Sequence, residues 1–136
     1  MSLERLAIVI IGRNEGARFL ACLEALPKGA GQVIYVDSGS TDGSIAAARD
    51  FGAEVVDLDR GQPFTAARAR NAGVSRIDGA EWVQFLDGDC ALREGWIEAA
   101  LARLKDDAGL AVVCGRRRER YPEASVYNRL CDAEWD

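Results

Sequence analysis

Histidine is absent from this chain of 136 residues. Its absence excludes serine–histidine–aspartate catalysis and metal centres built on imidazole. Cysteine is scarce and scattered, since the 4 cysteines form no CxxC pair. That pattern favours the reduced thiols of a cytosolic protein over a disulfide framework or a zinc site. Catalysis in such a chain must rest on carboxylates, arginines, backbone dipoles or a metal ion.

Long apolar runs are missing as well. The longest, at residues 6–11 and 108–114, have the length of a strand and are far too short to cross a bilayer, and the start has no secretory signal pattern. The net charge of −5 argues against nucleic acid as a partner. We therefore expect a cytoplasmic protein, and peripheral attachment of a longer form to a membrane stays open.

Short strand-like apolar runs alternate with segments of helical periodicity along the whole chain. This pattern predicts a single α/β domain over residues 1–136, with a mostly parallel, Rossmann-like sheet and helices on both faces. Ligands of such sheets bind beyond the carboxyl ends of the strands. Strands are predicted at residues 6–11, 32–36, 54–57, 82–86 and 110–114, and helices at residues 19–26, 42–51, 64–74, 97–104 and 125–135.

Two carboxylates separated by one glycine follow the fourth predicted strand. In an extended chain the side chains of Asp87 and Asp89 point to the same face, and Gly88 allows the backbone to approach a ligand closely. Mg²⁺ or Mn²⁺ takes one or two protein carboxylates and completes its shell with water and substrate phosphates. An acidic turn at the end of a strand is the simpler alternative.

Small polar residues follow the second predicted strand. Asp37, at the strand end, is a candidate acceptor for a nucleobase or ribose, and the turn of Ser38 and Gly39 would keep the pocket open. Capping of the following helix would explain most of this segment equally well.

The first predicted strand is followed by Arg13, Asn14 and Glu15. Asn14 and Glu15 offer hydrogen-bonding groups to a base edge, and Arg13 offers a partner for a phosphate. Helix capping by Asn14, with a favourable glutamate in the first turn, is an equally good account.

The helix predicted at residues 64–74 carries Arg68, Arg70 and Asn71. Arg68 and Asn71 lie three residues apart on one face, whereas Arg70 lies on another. An arginine directed at the sheet edge could hold a base or a phosphate through two hydrogen bonds, and the alternative is ordinary exposed charge on a helix.

These segments together resemble the nucleotide-binding half of a family 2 glycosyltransferase of the GT-A fold. The resemblance covers nearly the whole chain, and its motifs occur in the expected order. They are residues 8–15, 36–44, 69–73 and 87–89.

The resemblance implies a role for each motif. Asp37 would contact the base, Asn14 and Glu15 would line the nucleoside pocket, and Arg70 would sit near the nucleotide, with Arg68 as the rival. Asp87 would lie toward the ribose or a metal-bound water, and Asp89 would bind the Mn²⁺ or Mg²⁺ that bridges the diphosphate.

The activity implied is inverting transfer of a sugar from a UDP-, GDP- or dTDP-linked donor to an acceptor saccharide or lipid-linked saccharide. Two positions depart from the family pattern: Ile11 replaces a proline, and Arg13 replaces a frequent aromatic residue. No carboxylate matches the family's general base, so we expect that base beyond Asp136, in an acceptor-binding region that follows. Pairing of two copies into a homodimer stays open.

Two other functions compete with this prediction. An aspartate pair at a strand end also opens the phosphohydrolases of the haloacid dehalogenase type, although there the motif ends the first strand. A folded module that binds a nucleotide without turnover is the second alternative.

Overall fold

Strands and helices alternate through most of the computed structural model, which describes residues 2–135. The chain divides into two compact units, Met1–Glu94 and Gly95–Asp136. The elements in chain order are β1 (Leu6–Gly12), α1 (Ala17–Glu24), β2 (Gln32–Asp37), α2 (Ser44–Phe51), β3 (Glu54–Asp57), α3 (Ala66–Val74), β4 (Trp82–Asp87), α4 (Trp96–Asp106) and α5 (Val126–Glu134).

The first unit contains a sheet of 4 strands in the order β3-β2-β1-β4, and every pairing is parallel. The central strand β1 has no polar residue from Leu6 to Ile11, and its first 5 residues are buried. Such an unbroken apolar run is typical of a parallel strand that is covered on both faces. The predicted α/β class and parallel sheet are thus confirmed.

Helices cover both faces of this sheet. Tyr35 of β2 points to one face, where its ring stacks on Phe19 of α1 with 4.4 Å between centroids. The neighbouring Val36 must point to the other face, because side chains alternate along a strand. On that face Val36 and Val9 pack against α3. Gly73 of α3 has no side chain, which allows the helix to approach the sheet closely.

The strand predicted at residues 110–114 does not form. In the structure this segment has no regular secondary structure, and the side chain of Val112 is 73% exposed. The residues favour a strand, but a strand exists only when its backbone pairs with another. Among the described residues, no strand pairs with this segment, so the prediction was wrong.

The second unit consists of α4, α5 and the segment between them. Ile97, Ala100 and Leu101 form the buried side of α4. Arg118 precedes α5 and binds Asp132 of that helix through two hydrogen bonds of 2.9 and 3.0 Å. In the part of the chain that is described, no helix has the length and apolarity needed to cross a bilayer. A single domain over residues 1–136 stays a prediction.

Candidate functional site

The carboxyl ends of β2, β1 and β4 bring three of the sequence motifs to one edge of the sheet. Gly12, the last residue of β1, is paired with Asp37 of β2, and Ile11 is paired with Asp87 of β4. Neighbouring strands are about 4.8 Å apart, so the loops that follow them are adjacent. Residues as far apart in the chain as Ile11 and Asp87 therefore meet here because of the strand order.

The loop after β1 is fastened to the loop after β2 through Asn14. The backbone N–H of Asn14 donates to Ser40 Oγ over 2.9 Å, and Asn14 Oδ1 accepts from the N–H of Thr41 over 2.7 Å. Asn14 has a φ of 53°, a left-handed conformation that asparagine tolerates better than most residues. Asp42 adds a second link by accepting from the N–H of Gly16 over 3.1 Å.

The hydrogen bonds of Asn14 can be compared with the two roles predicted for it, capping of a helix and contact with a nucleoside. The N-cap of α1 is Gly16, which has no capping side chain, so capping of α1 by Asn14 was wrong. The acceptor oxygen of Asn14 already binds backbone groups of the neighbouring loop. A contact of Asn14 with a nucleoside stays a prediction.

Asp37 is fully buried, with 0% of its surface exposed. Its Oδ1 accepts from the N–H groups of Gly39 and Ser40 over 2.9 and 2.7 Å, and its Oδ2 accepts from the hydroxyl of Tyr35 over 2.9 Å. Burial raises the pKa of Tyr35 above its ordinary value, which keeps the hydroxyl a donor. In this structure the Asp37 carboxylate shapes the turn after β2, and its contact with a base stays a prediction.

Ser38 extends the sheet by one hydrogen bond, and the chain turns away from the sheet at Gly39. The N–H of Ser38 donates to the carbonyl of Gly12 over 3.0 Å, which extends the pairing of β1 with β2 by one residue. Gly39 has a φ of 86°, and a Cβ at this position would lie 3.3 Å from the ring of Phe64. The positive φ thus favours glycine at position 39, and a side chain there would also press on the ring of Phe64.

Glu15 connects the first motif with the acidic motif. A Cβ added to Gly12 or to Gly88 would lie 3.5 or 3.6 Å from Glu15 Cγ, so the glutamate side chain crosses the ends of β1 and β4. Its carboxylate forms an ion pair of 3.0 Å with Arg18.

Asp87 ends β4, and the chain then turns. The carbonyl of Asp87 accepts from the N–H of Cys90 over 2.9 Å, and Gly88 donates to the carbonyl of Ile11 over 2.8 Å. Asp89 therefore lies in a turn, and the alternation of side chains along an extended strand does not position it. We had expected an extended chain that directs the side chains of Asp87 and Asp89 to one face. That expectation was wrong, because the chain turns after Asp87.

The two carboxylates differ in their partners. Asp87 Oδ1 accepts from Arg70 over 2.9 Å, and both side chains are about half exposed, a situation in which an ion pair contributes about 1 kcal/mol or less. Asp89 is exposed, and its Oδ1 lies 3.5 Å from the thiol of Cys90.

The two arginines of α3, Arg68 and Arg70, have different partners. Arg70 reaches the acidic turn, whereas the guanidinium of Arg68 donates to the carbonyls of Asp59, Gln62 and Pro63 over 2.9 to 3.3 Å. Arg68 thus holds the loop between β3 and α3. Asn71 is exposed on the helix.

The donor set fits a hard divalent cation. Asp87 and Asp89 both supply carboxylate oxygens, and each has an oxygen without a described hydrogen bond, Oδ2. Within residues 2–135 no group of 3 or more carboxylate, thiol or imidazole side chains forms a metal-binding cluster. Mg²⁺ needs only one or two protein carboxylates when a substrate diphosphate is present.

Two features of this edge were not found from the sequence. One is the contact of Phe64 with Gly39 and the arginines around it, and the other is Cys22, whose thiol lies beneath the acidic turn, 4.0 Å from the carbonyl of Asp87. Both residues look like ordinary core positions in the sequence, because neither lies in a motif.

Comparison with known proteins agrees with this arrangement. The model of the family described as Glycosyl transferase family 2 matches residues 7–131, nearly the whole chain. The chain belongs to glycosyl transferase family 2. The matched range includes every motif of the site. Membership of this family excludes a haloacid dehalogenase, whose aspartate motif ends the first strand, whereas Asp87 ends the fourth strand here.

Individual relatives support the family. Glycosyltransferase AglE of Haloferax volcanii is 32% identical over 130 residues, which are 88% of this chain and 41% of that protein. An uncharacterized glycosyltransferase of Rickettsia felis is 28% identical over 87 residues, which are 64% of this chain and 29% of that protein. The chain therefore spans less than half the length of these curated relatives.

A solved structure shares the fold. The crystal structure of S. aureus TarS 1-349 superimposes with a TM-score of 0.61 at 18% identity, over 75% of this chain and 32% of that chain. The likeness confirms the predicted GT-A type of α/β fold.

Proposed function

We propose that this chain binds the nucleoside-diphosphate sugar of a longer family 2 glycosyltransferase, with the sugar nucleotide lying across the carboxyl ends of β2, β1 and β4. The observation that supports this most is the convergence of the turn at Asp37, the loop at Asn14 and the acidic turn at Asp89. These loops have few apolar side chains and many hydrogen-bonding groups, which suits a polar, anionic ligand.

Each end of the ligand has its own partners in this proposal. The nucleoside lies near Asn14, Glu15 and the Asp37 turn, and the diphosphate lies near the acidic turn. Asp89 and Asp87 would hold Mn²⁺ or Mg²⁺, which when bound offsets the charge that builds on the leaving diphosphate. Arg70, oriented by its ion pair with Asp87, adds positive charge beside the same group.

The reaction of the longer enzyme is proposed to be transfer of the sugar to an acceptor hydroxyl with inversion at the anomeric carbon. That step requires a base to take the hydroxyl proton. We assign no residue of this chain to that role, because no carboxylate of the chain matches the family's general base. The acceptor is proposed to be a saccharide or a lipid-linked saccharide.

Substitution of the metal carboxylate tests this proposal. We expect Asp89→Asn to weaken binding of UDP, GDP or dTDP in the presence of Mn²⁺ by at least about tenfold, since two unit charges about 4 Å apart interact by several kcal/mol at an effective dielectric near 20. Titration calorimetry measures the affinity. Glu94→Gln is the matched control, because Glu94 is an exposed acid a few residues further on.

Equal affinities of these two variants would contradict the metal assignment. The alternative of a module without turnover predicts the same binding, so it is tested separately. Transfer of a radiolabelled sugar by the longer enzyme, and its loss in Asp89→Asn, would rule that alternative out.

A further inference from the structure

Tyr35 interrupts an aliphatic stretch in the middle of β2. Its neighbours in the strand, Val33, Ile34 and Val36, are aliphatic, and its own side chain is fully buried. A phenylalanine would bury a similar apolar surface, so the hydrophobic core does not require the hydroxyl. A buried tyrosine hydroxyl usually has a hydrogen-bond partner, and here the partner is Asp37 Oδ2, 2.9 Å away. The polar group of Tyr35 therefore serves the turn after β2.

Contacts with α1 and β1 hold the ring of Tyr35 in place. The ring stacks on Phe19 of α1 with 4.4 Å between centroids and 30° between the ring planes. At the end of β1, Gly12 approaches so closely that a Cβ there would lie 3.4 Å from the Tyr35 hydroxyl oxygen. Both aromatic side chains are buried, and interiors are close-packed. The hydroxyl thus has a defined position relative to the ends of β1 and β2.

This hydroxyl completes the set of donors around the Asp37 carboxylate. Oδ1 accepts from the N–H groups of Gly39 and Ser40, whereas Oδ2 accepts from Tyr35. Because the carboxylate has no exposed surface, water could replace the phenol as a donor only if the turn opened. Ser40 Oγ also accepts from the N–H of Asn14, so a shift of this turn would also displace the loop after β1.

We propose that Tyr35 is a positioning residue for the sugar-nucleotide donor. Its hydroxyl holds the Asp37 carboxylate, and with it the turn after β2 and the loop after β1, in the arrangement that binds the nucleoside. The inference rests on the proposed function and adds a buried residue that acts on the site without touching the ligand. Asp89 lies in the turn after β4, on the other side of β1 from β2, so the proposal predicts that the diphosphate end of the site does not depend on the hydroxyl.

Tyr35→Phe tests the proposal, because it removes the hydroxyl and keeps the ring on Phe19. Calorimetry measures the binding of UDP, GDP, dTDP and inorganic pyrophosphate, each with Mn²⁺, to the wild type and the variant. We expect the nucleotide that the wild type binds best to bind the variant about tenfold more weakly, the effect of losing one hydrogen bond to a buried charged group. Pyrophosphate should bind both proteins equally. A purely structural role would lower the melting temperature and leave both affinities of the folded protein unchanged.

A double-mutant cycle with Asp37→Asn shows whether Tyr35 acts through Asp37. If it does, Tyr35→Phe should weaken nucleotide binding much less in the Asp37→Asn protein than in the wild type, because the two residues then share one effect. Tyr127→Phe is the matched control, since it removes the hydroxyl of a tyrosine that is 75% exposed; we expect no change. Circular dichroism of each variant confirms that it is folded.

Four results would overturn the proposal. Wild-type nucleotide affinity in Tyr35→Phe would show that the hydroxyl does not position the site, and equal losses for nucleotide and pyrophosphate would indicate a general distortion. Equal effects of Tyr35→Phe with and without Asp37→Asn would separate Tyr35 from Asp37. A Tyr35→Phe protein that does not fold would assign the hydroxyl to stability alone. In each case the wild type still binds the nucleotide and the proposed function stands, whereas a wild type that binds none of the nucleotides overturns both.

Discussion

Asp37 shows how far the role of a single residue depends on its partners. Its position at the end of a strand suggests an exposed acceptor, yet three internal donors surround the carboxylate and no part of it reaches solvent. A buried carboxylate is costly unless it is hydrogen-bonded, so these donors are a condition for its presence. Each of them comes from within three residues along the chain.

Cys22 is a residue whose chemistry changes on folding. Burial, followed by the negative charges of Cys90, Asp89 and Asp87, raises the pKa of its thiol from 9.0 to about 12. The neutral thiol is the form that the folded protein stabilises. The stability linked to it is present in full below about pH 9 and is lost as the pH rises toward 12.

We therefore predict that Cys22 is unreactive in the folded protein. At pH 8 the rise in its pKa lowers the thiolate fraction about a thousandfold, and the thiolate is the nucleophile. Alkylation by iodoacetamide followed by peptide mass spectrometry should label the exposed Cys114 and spare Cys22. In guanidinium chloride both should react. Labelling of Cys22 at the rate of Cys114 without denaturant would contradict the prediction.

At the scale of elements, α3 depends on its close contact with the sheet. Gly73 lies where a Cβ would overlap Val9 Cγ1 and would come within 3.1 Å of Val36 Cγ2. Both neighbours are buried, β-branched side chains of central strands, which have little rotamer freedom to move aside.

Gly73→Ala should therefore destabilise the protein. Overpacking costs about 1–3 kcal/mol and the gain in helix propensity offsets up to about 1 kcal/mol of it, so we expect a net loss of about 1–2 kcal/mol in the free energy of unfolding. Urea denaturation measures this. Gly43→Ala is the control for lack of space, because a Cβ at Gly43 would meet no atom within 4 Å, and only the smaller cost of alanine at this N-cap of α2 is expected there. A loss of the same size in both variants would contradict the packing argument.

The segment at residues 110–114 shows the limit of prediction for elements. Four strands were predicted within one residue of their ends, since buried apolar runs are visible in the chain itself. The fifth run has the same composition but no partner in the described residues. Pairing is a property of two segments, so composition alone does not decide it.

At the scale of the whole molecule, ligand binding should appear as stability. A ligand that binds only the folded chain raises the free energy of unfolding by RT ln(1 + [L]/Kd), about 2.7 kcal/mol at a hundredfold excess over Kd. We predict that one of UDP, GDP and dTDP raises the melting temperature, and that it does so with Mn²⁺ and not without it. Differential scanning fluorimetry of the full panel, with Asp89→Asn as the control, measures this. A rise of the same size without metal would contradict a role of Mn²⁺ in donor binding.

The alternation of the four strands with helices in the first unit, the edge at which the polar loops lie and the family were all determined by the sequence alone. Apolar periodicity is local, and in a parallel sheet every loop after a strand must lie at the same edge. Arg70 was also singled out by the sequence, because it belongs to a motif with a defined position, and its contact with a nucleotide stays a prediction.

Only the tertiary structure decided what each polar group of that edge contacts. Asn14 binds a loop 27 residues away in the chain, Arg68 fastens its own loop, and the guanidinium of Arg13 lies over the ring of Phe64. None of these contacts follows from periodicity, since each depends on the strand order β3-β2-β1-β4 and on backbone turns that bring distant residues within hydrogen-bonding or stacking distance. Hydrogen bonds and ring contacts act over a few ångströms, so only the folded chain determines which groups they join.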